Sequence, residues 1–431
     1  MIEHDEMLIA LQNSQEAESD MRNQARSAQL FVNKRDGQWE AEFWESNDNK
    51  PRYTFDLTSP IVDQVSGALD MANFAIKVSP AGGEATEETA DILSGLIRNI
   101  ENLSYATDIY SAAGRNMVTA GIDGWRVVHK YVDSDSFNQD LVIEPIHNYV
   151  DRVWFDVSSE KRDRSDARFA FVLSGLSPKD YKKQYPNGSG QSVSEDRDAT
   201  AYFNKPDLIM VGEYYYIEQE KSDIIMMSSG QVLEDNEDFN TIKDELAAMG
   251  VTEVKRRTRM KDTVYVRKFD AQDWLGSKQK TVFSMIPVIP TYGNFRNVED
   301  KTLYFGVVEK LYDPQRVLNY SLSREIEEGA LAPRAKYWMT PKQASGHEDE
   351  LSTMNTNTDP VQFFNVDEAN PGIPQQNGGA QINPGLSRVS EGMRTMIGQS
   401  AGLFASNMGD NPGLQSGVAI KQLQNKGDIG T

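Results

Sequence analysis

Few residues in this chain could do chemistry, and they are scattered. Four histidines stand at 4, 129, 147 and 347, and none pairs with another at metal-ligand spacing. His347-Glu348 opens like a zinc-protease helix, but four residues on stands Leu351 rather than a second histidine. His147, beside Pro145, reads as a turn or packing residue. The acidic groups Asp133/Asp135, Asp163/Asp166 and Asp235/Glu237/Asp238 could bind Mg²⁺ in a nuclease. Each also sits in a polar, turn-like stretch, where aspartate is favoured for capping its own backbone. There is no G-x-x-x-x-G-K-[ST] phosphate loop, and Gly188-Ser189-Gly190 lacks the third glycine and the setting of a dinucleotide site. The basic run Lys255-Arg256-Arg257-Arg259-Lys261 is either an exposed strand face balancing acidic neighbours or a contact with another subunit or with DNA. Zero cysteines remove disulfides, thiolate catalysis and cysteine-based metal sites. The expectation is a chain with no catalytic residue, no metal and no cofactor.

The chain has 431 residues, 39% hydrophobic and 25% charged, enough for two or three domains and a sizeable core. Its net charge of -21 argues against tight DNA binding, which relies on clustered cations, yet suits a conduit past which a polyanion slides. No apolar run approaches eighteen residues and the first residues, Met1 to Glu6, are acidic, so neither membrane insertion nor Sec export is expected. The expected setting is a cytoplasm, or a particle built in one.

The elements that must position any functional surface are clearest between Lys301 and Pro412. Val307, Val308, Leu311, Leu318, Leu322 and Ile326 recur at helical spacing, which predicts an amphipathic helix over 301–331. Asp313-Pro314 inside it marks either a kink or a fresh helix start. Asn383-Pro384 opens a return helix carrying Leu386, Val389, Met393, Met396, Ile397 and Ala401, and Gly402 ends it. Residues 332–382 between them are rich in Asn, Pro, Gly and Thr, with strand-like runs at Lys336–Met339 and Val361–Val366. So long a connection reads as a small projecting module on a two-helix stalk.

Upstream the pattern is a helical block, then strands. Glu6 to Phe31 reads as a long polar helix with a thin apolar stripe, and Trp39, Phe43 and Trp44 follow as apolar anchors. Helices are expected over 59–73, 87–99 and 104–120, with a strand at 74–78. Strands are expected at 125–131, 141–146, 153–155, 169–173, 208–219 and 224–227. A short helix over 241–249, an antiparallel pair 251–257 and 263–268, and a last strand at 282–287 complete an α+β chain.

Gly124-Trp125-Arg126-Val127-Val128, Glu144-Pro145-Ile146-His147, Val153-Trp154-Phe155-Asp156 and Ser165-Asp166-Ala167-Arg168 resemble, in order and spacing, the portal proteins of short-tailed double-stranded DNA bacteriophages. The similarity extends through Met21, Gln38-Trp39, Pro60 to Val65, Ile286-Pro287-Val288-Ile289-Pro290 and Tyr304 to Val308, and so covers most of the chain. It implies the portal fold: a mixed wing over 1–300, stem helix 1 over 301–331, a clip over 332–382, stem helix 2 over 383–401, a tunnel loop over 402–412 and a returning wing helix from 413, with crown and barrel absent. It also implies a homododecameric ring at one capsid vertex of the virion, assembled in the host cytoplasm. Double-stranded DNA would pass through it during packaging and ejection. The implied partners are the terminase large subunit, the major capsid and scaffolding proteins and a tail or adaptor protein, with no membrane.

On this resemblance the tunnel residues would be Ser406, Asn407, Met408, Asp410 and Asn411. Subunit contacts would involve Trp39, Trp44, Leu318, Leu322, Val389 and Met393, and clip docking would use Trp338, Phe363 and Phe364. The competing reading is an acidic soluble hydrolase or nuclease working through carboxylates, which would be a monomer or dimer with one perturbed carboxylate pair. Size in solution separates the two.

Overall fold

A computed structural model describes residues 3–40, 42, 50–72, 76–81, 86–193, 208–299, 301–331, 336–353, 361, 363–377 and 384–402 of this α+β chain. Two units divide it: one from Met1–Gln29 and Val62–Val308, the other from Leu30–Ile61 and Glu309–Thr431. Among the described residues no helix is long and apolar enough to cross a membrane.

The long N-terminal helix is α1 (His4–Asn33), made of good helix formers with Asp5 and Glu6 at the positive end of its dipole. Its stripe Met7, Leu11, Met21, Ala25 and Ala28 is buried. Next come α2 (Thr58–Met71), α3 (Glu87–Leu103) and α4 (Ala106–Ala120). Gly121 ends α4 at φ +84, and a Cβ there would lie 2.4 Å from the Phe305 backbone, so both conformation and space require glycine.

The strands of the first unit are β1 (Ile122–Tyr131), β2 (Gln139–Pro145), β3 (Val153–Phe155), β4 (Phe169–Leu176), β5 (Ile209–Met227), β6 (Val232–Glu234), β7 (Glu253–Phe269), β8 (Gln279–Lys280), β9 (Val288–Tyr292), β10 (Asn294–Val298) and β11 (Lys301–Phe305). Helix α5 (Pro178–Gln184) follows β4 and α6 (Glu237–Ala248) follows β6. They form a three-stranded sheet β2-β1-β9, a six-stranded sheet β3-β4-β5-β7-β8 with β6 on β5, and the hairpin β10-β11. Pro290 lies in β9 at a sheet edge, where its missing N–H costs no ladder bond. The apolar run Phe169 to Leu173 is explained by burial on both sides: Ala170 and Val172 join Met21, Tyr149, Phe155, Tyr215 and Tyr292 in one cluster, while Phe171 and Leu173 join Met7, Leu11, Tyr214 and Phe269 in another.

Several expected elements are corrected. The pair 251–257 and 263–268 is one strand, β7, because Thr258 to Asp262 contains no turn-forming Gly, Pro or Asn; it pairs with β5, itself the fusion of the two runs expected over 208–227. Residues 282–287 are not a strand: extended pairing starts only after Pro287, with β9. Residues 76–78 are irregular, and Phe74 lies outside the described residues.

The helix expected over 301–331 is likewise divided. Lys301–Phe305 is β11, Val307–Leu311 is a 3-10 turn, and α7 spans Tyr312–Leu331. Pro314 therefore stands in the first turn of a new helix, where a proline breaks no internal bond. The return helix is α10 (Pro384–Ser400). It packs against α7, and the Ser387 hydroxyl donates to Glu325 at 2.6 Å. Between them lie β12 (Lys336–Trp338), α8 (Pro341–Ala344), α9 (Glu348–Ser352) and β13 (Gln375–Asn377). β12 pairs with β13, whereas 363–366, expected as a strand, is irregular.

Candidate functional site: surfaces of the two-helix unit

Helix α7 presents Gln315, Asn319 and Ser323 at four-residue spacing, one rung per turn. The extended segment 53–57 runs along them. The Leu57 N–H donates to Gln315 Oε1 at 3.2 Å, Phe55 N–H to Asn319 Oδ1 at 2.9 Å and Tyr53 N–H to Ser323 Oγ at 3.0 Å. Gln315 Nε2 returns a bond to Phe55 O at 2.7 Å, and Asn319 Nδ2 donates to Gln38 Oε1 at 2.8 Å. The register works because one helical turn of four residues rises ~6 Å and two extended residues span ~6.6 Å. All three side chains are buried. Sequence reasoning missed this ladder, since polar residues at helical spacing normally mark a wet face.

The ladder fixes the neighbourhood of Trp39. Its indole N–H donates to Thr54 Oγ1 at 3.2 Å, and with Gln38, Glu40, Asp313, Arg316, Val317 and Tyr320 it lines a groove of about 340 Å³. Arg316 binds Glu40 at 2.7 Å, while Val317 and Tyr320 are exposed. Of the other expected contact residues, Leu318 is fully buried within the chain, so its side chain serves the chain's own packing. Leu322 and Met393 are half-buried and Val389 is exposed. Trp44 lies outside the described residues, as do Ser406, Asn407, Met408, Asp410 and Asn411.

The module between α7 and α10 is held by polar bonds. Thr340 caps α8 through a reciprocal pair with Gln343, and its hydroxyl donates to Asp367 at 2.8 Å. Buried Gln343 donates to Gly372 O at 2.8 Å, which ties the start of the module to its far end. On this frame Trp338 is 72%, Phe363 61% and Ile373 78% exposed, with Phe364 less so. A shallow groove of about 360 Å³ runs beside Trp338, Gln343, Pro371 and Ile373. His347 lies with its ring 6.5 Å from Phe363. A rigid frame bearing exposed aromatic and aliphatic side chains is the makeup of a protein-docking surface.

Of the carboxylates weighed in the sequence, Asp133, Asp163 and Asp166 act on their own backbone. Asp133 accepts from Asp135 N–H at 2.8 Å and Asp163 from Ser165 N–H at 3.1 Å. Asp166 accepts from the Ser159 hydroxyl at 2.6 Å and from Glu160 N–H at 2.8 Å, which hold its carboxyl down at about 2. Asp235 pairs with Arg256; the side chains of Glu237 and Asp238 lie outside those described. In the basic run Arg256 also binds Glu253, and Arg259 and Lys261 share Glu234.

Burial pushes one further carboxyl, Asp123, up to about 7, against hydrogen bonds from Asn116 at 2.6 Å and Gly124 N–H at 2.8 Å. His4 touches Asp270 O at 3.0 Å between Phe269 and Trp274, and His147 stands in the turn after β2.

The residues that carry the resemblance mostly build the first unit. Trp125 and Arg126 lie in β1, where Arg126 binds Glu144 and, at 2.8 Å, Glu213; Asp156 and Ser159 shape the turn that Asp166 and Arg164 close. Compared with known proteins, the chain falls in the class of bacteriophage portal proteins. It belongs to the phage P22-like portal protein family, whose family model matches residues 9–431. It is 25% identical over 334 residues to the portal protein of Acyrthosiphon pisum secondary endosymbiont phage 1, a match over 74% of this chain and 46% of that relative. The chain thus spans about half the length of the curated relative it matches.

Proposed function

We propose that this chain is the portal subunit that forms a dodecameric ring at one vertex of a phage capsid, the channel for DNA driven in by terminase and released at ejection, and the platform for the tail. The observation that carries this reading is the family match running through both helices and the module they carry. On this reading residues 1–300 are wing, α7 and α10 the stem, 332–382 the clip and 402–412 the tunnel loop. The stem begins at Tyr312 and not at 301. Terminase, then a tail or adaptor protein, dock on the clip around Trp338, Phe363 and Phe364, while capsid and scaffolding protein contact the wing. A net charge of -21 suits a wall past which DNA slides without being gripped. The role is that of a conduit, without catalysis: Asp123, whose carboxyl burial raises, is 6% exposed and engaged with Asn116 and Gly124 inside the fold.

Light scattering and negative-stain imaging of the purified chain test this. Twelve-fold rings are expected; a stable monomer or dimer at every concentration would overturn the reading.

A further inference from the structure

Among the described residues, two surfaces of the first unit stand exposed with charged and apolar side chains together. One is α3. Its buried side is thin, Ala90 and Ser94, while Ile92, Leu93, Leu96 and Leu103 stand 59, 45, 54 and 61% exposed. Ile92, Leu96 and Leu103 recur at four- and seven-residue spacing and so make one stripe along the helix. Glu88, one turn before Ile92, and Asp91 extend it with negative charge, and neither makes an ion pair among the described residues.

The other surface is the outer part of the β5–β7 ribbon. Ile225, Met227 and Leu233 on one side pack with Phe239 and Leu246 of α6. The register puts Met226 opposite both Lys255 and Val232, and Ile224 opposite both Arg257 and Glu234, so these side chains share the opposite face. That face also holds Arg259 and Lys261, which share Glu234. Lys255 and Arg257 have no carboxylate partner among the described residues, and Met226 and Val232 beside them are 38 and 58% exposed.

We propose that α3 of one copy of this chain docks on the cationic β5–β7 face of the next copy; this rests on the ring assembly proposed above. Charge selects the occupant. Copies carrying -21 each repel unless cations of one meet carboxylates of the other, and this ribbon sets four cations against Glu234 and Glu220, the latter already neutralised by Lys280. Shape agrees: α3, with 17 residues, is ~25 Å long, and the strand from Lys255 to Lys261 covers ~20 Å. The apolar stripe finds apolar partners in Met226 and Val232. A face that intersperses aliphatic side chains with its cations, with no aromatic platform for bases, fits protein better than nucleic acid. Because the two patches differ, the contact is head-to-tail, the type that closes into rings rather than two-fold dimers.

Charge reversal in both surfaces tests the contact, with light scattering over a concentration series as readout and melting curves to confirm folding. Lys255→Glu with Arg257→Glu, and separately Glu88→Lys with Asp91→Lys, each raise the concentration for half-assembly at least about tenfold. Combining all four restores most of the loss. Leu96→Ser, which changes no charge, gives a second weakening should a reversal variant fail to fold. Folded reversals that assemble like wild type overturn the contact, as does a combined variant no better than either half. Intact assembly with loss of salt-sensitive DNA retention would assign the ribbon to nucleic acid instead. A wild-type chain that never assembles defeats the ring reading and this contact together; wild-type rings indifferent to every variant defeat the contact alone.

Discussion

At the scale of single residues, the charges that matter most to this fold are buried ones. Arg22, 5% exposed, spreads its guanidinium over Tyr149 O, Val150 O and Val153 O at 3.2, 2.8 and 2.6 Å and pairs with Glu18. Burial, the largest single influence, works against the charge, but Glu18 with Tyr149 and Tyr292 together outweigh it and keep the group protonated. Arg22→Ala takes the donor from Val150 O and Val153 O and leaves Tyr149 O to Arg152 N–H and Glu18 to Arg164 at 3.4 Å, so a loss of about 3–5 kcal/mol is expected in denaturant unfolding. Asp123 behaves in the opposite sense. Its carboxyl, at about 7 in the fold against an ordinary 3.8, is more easily protonated folded than unfolded. Its contribution is therefore full below pH 4, is lost as pH rises towards 7, and is constant above. The loss is on the order of 4 kcal/mol for a group so buried. Asp123→Asn should flatten the melting temperature between pH 4 and 7 and raise it at pH 8; an unchanged pH profile would show that Asp123 titrates normally.

At the scale of elements, the Gln315, Asn319 and Ser323 ladder ties an extended strand to a helix without any sheet. Asn319→Ala orphans the Phe55 N–H and Gln38 Oε1 in a buried setting, so about 1–3 kcal/mol should be lost for each group left unpaired, whereas Asn297→Ala on the exposed β10 should cost nothing measurable. A melting temperature unmoved by Asn319→Ala would remove the ladder from the account. The ladder also marks the limit of sequence reading. Helix α1 was legible because its apolar stripe repeats at helical spacing, and β3 and β4 because aromatic and β-branched residues run together between turns. The long strands β5 and β7 were not, because charged residues on exposed strands look like turns. Nor was α7's true start, since Val307, Val308 and Leu311 keep a helical rhythm in a 3-10 turn. The aromatic residues of the module stood out by composition, yet the frame that holds them, Thr340 with Gln343 and Asp367, joins residues 27 apart that no local pattern connects.

At the scale of the whole molecule, function is proposed to follow from surfaces rather than from a reacting centre, so the informative changes remove a surface and leave the fold. Replacing 334–382 by a short Gly/Ser linker should abolish terminase binding in pull-downs while the first unit still melts cooperatively; retained binding would place docking elsewhere. Trp39 and Trp44 changed together to alanine should weaken assembly, and unaltered stability and assembly would end their part in it. The segment 402–412, proposed to line the tunnel, calls for a subtler test. It contains Gly402, Gly409 and several small or polar residues but no Lys or Arg, so it has no cation with which to displace counterions from phosphates. On the proposed reading, a segment without cations guides DNA sterically and does not grip it. Deleting 405–411 should therefore leave rings intact in negative stain yet impair retention of packaged DNA. Asn407→Lys with Asn411→Lys adds two cations per subunit, and every phosphate that these neutralise steepens the salt dependence of binding by ~0.9 in log-log slope. Translocation should slow at low salt and recover as salt rises. Packaging that is normal in both variants at every salt concentration would show that DNA does not run against this loop.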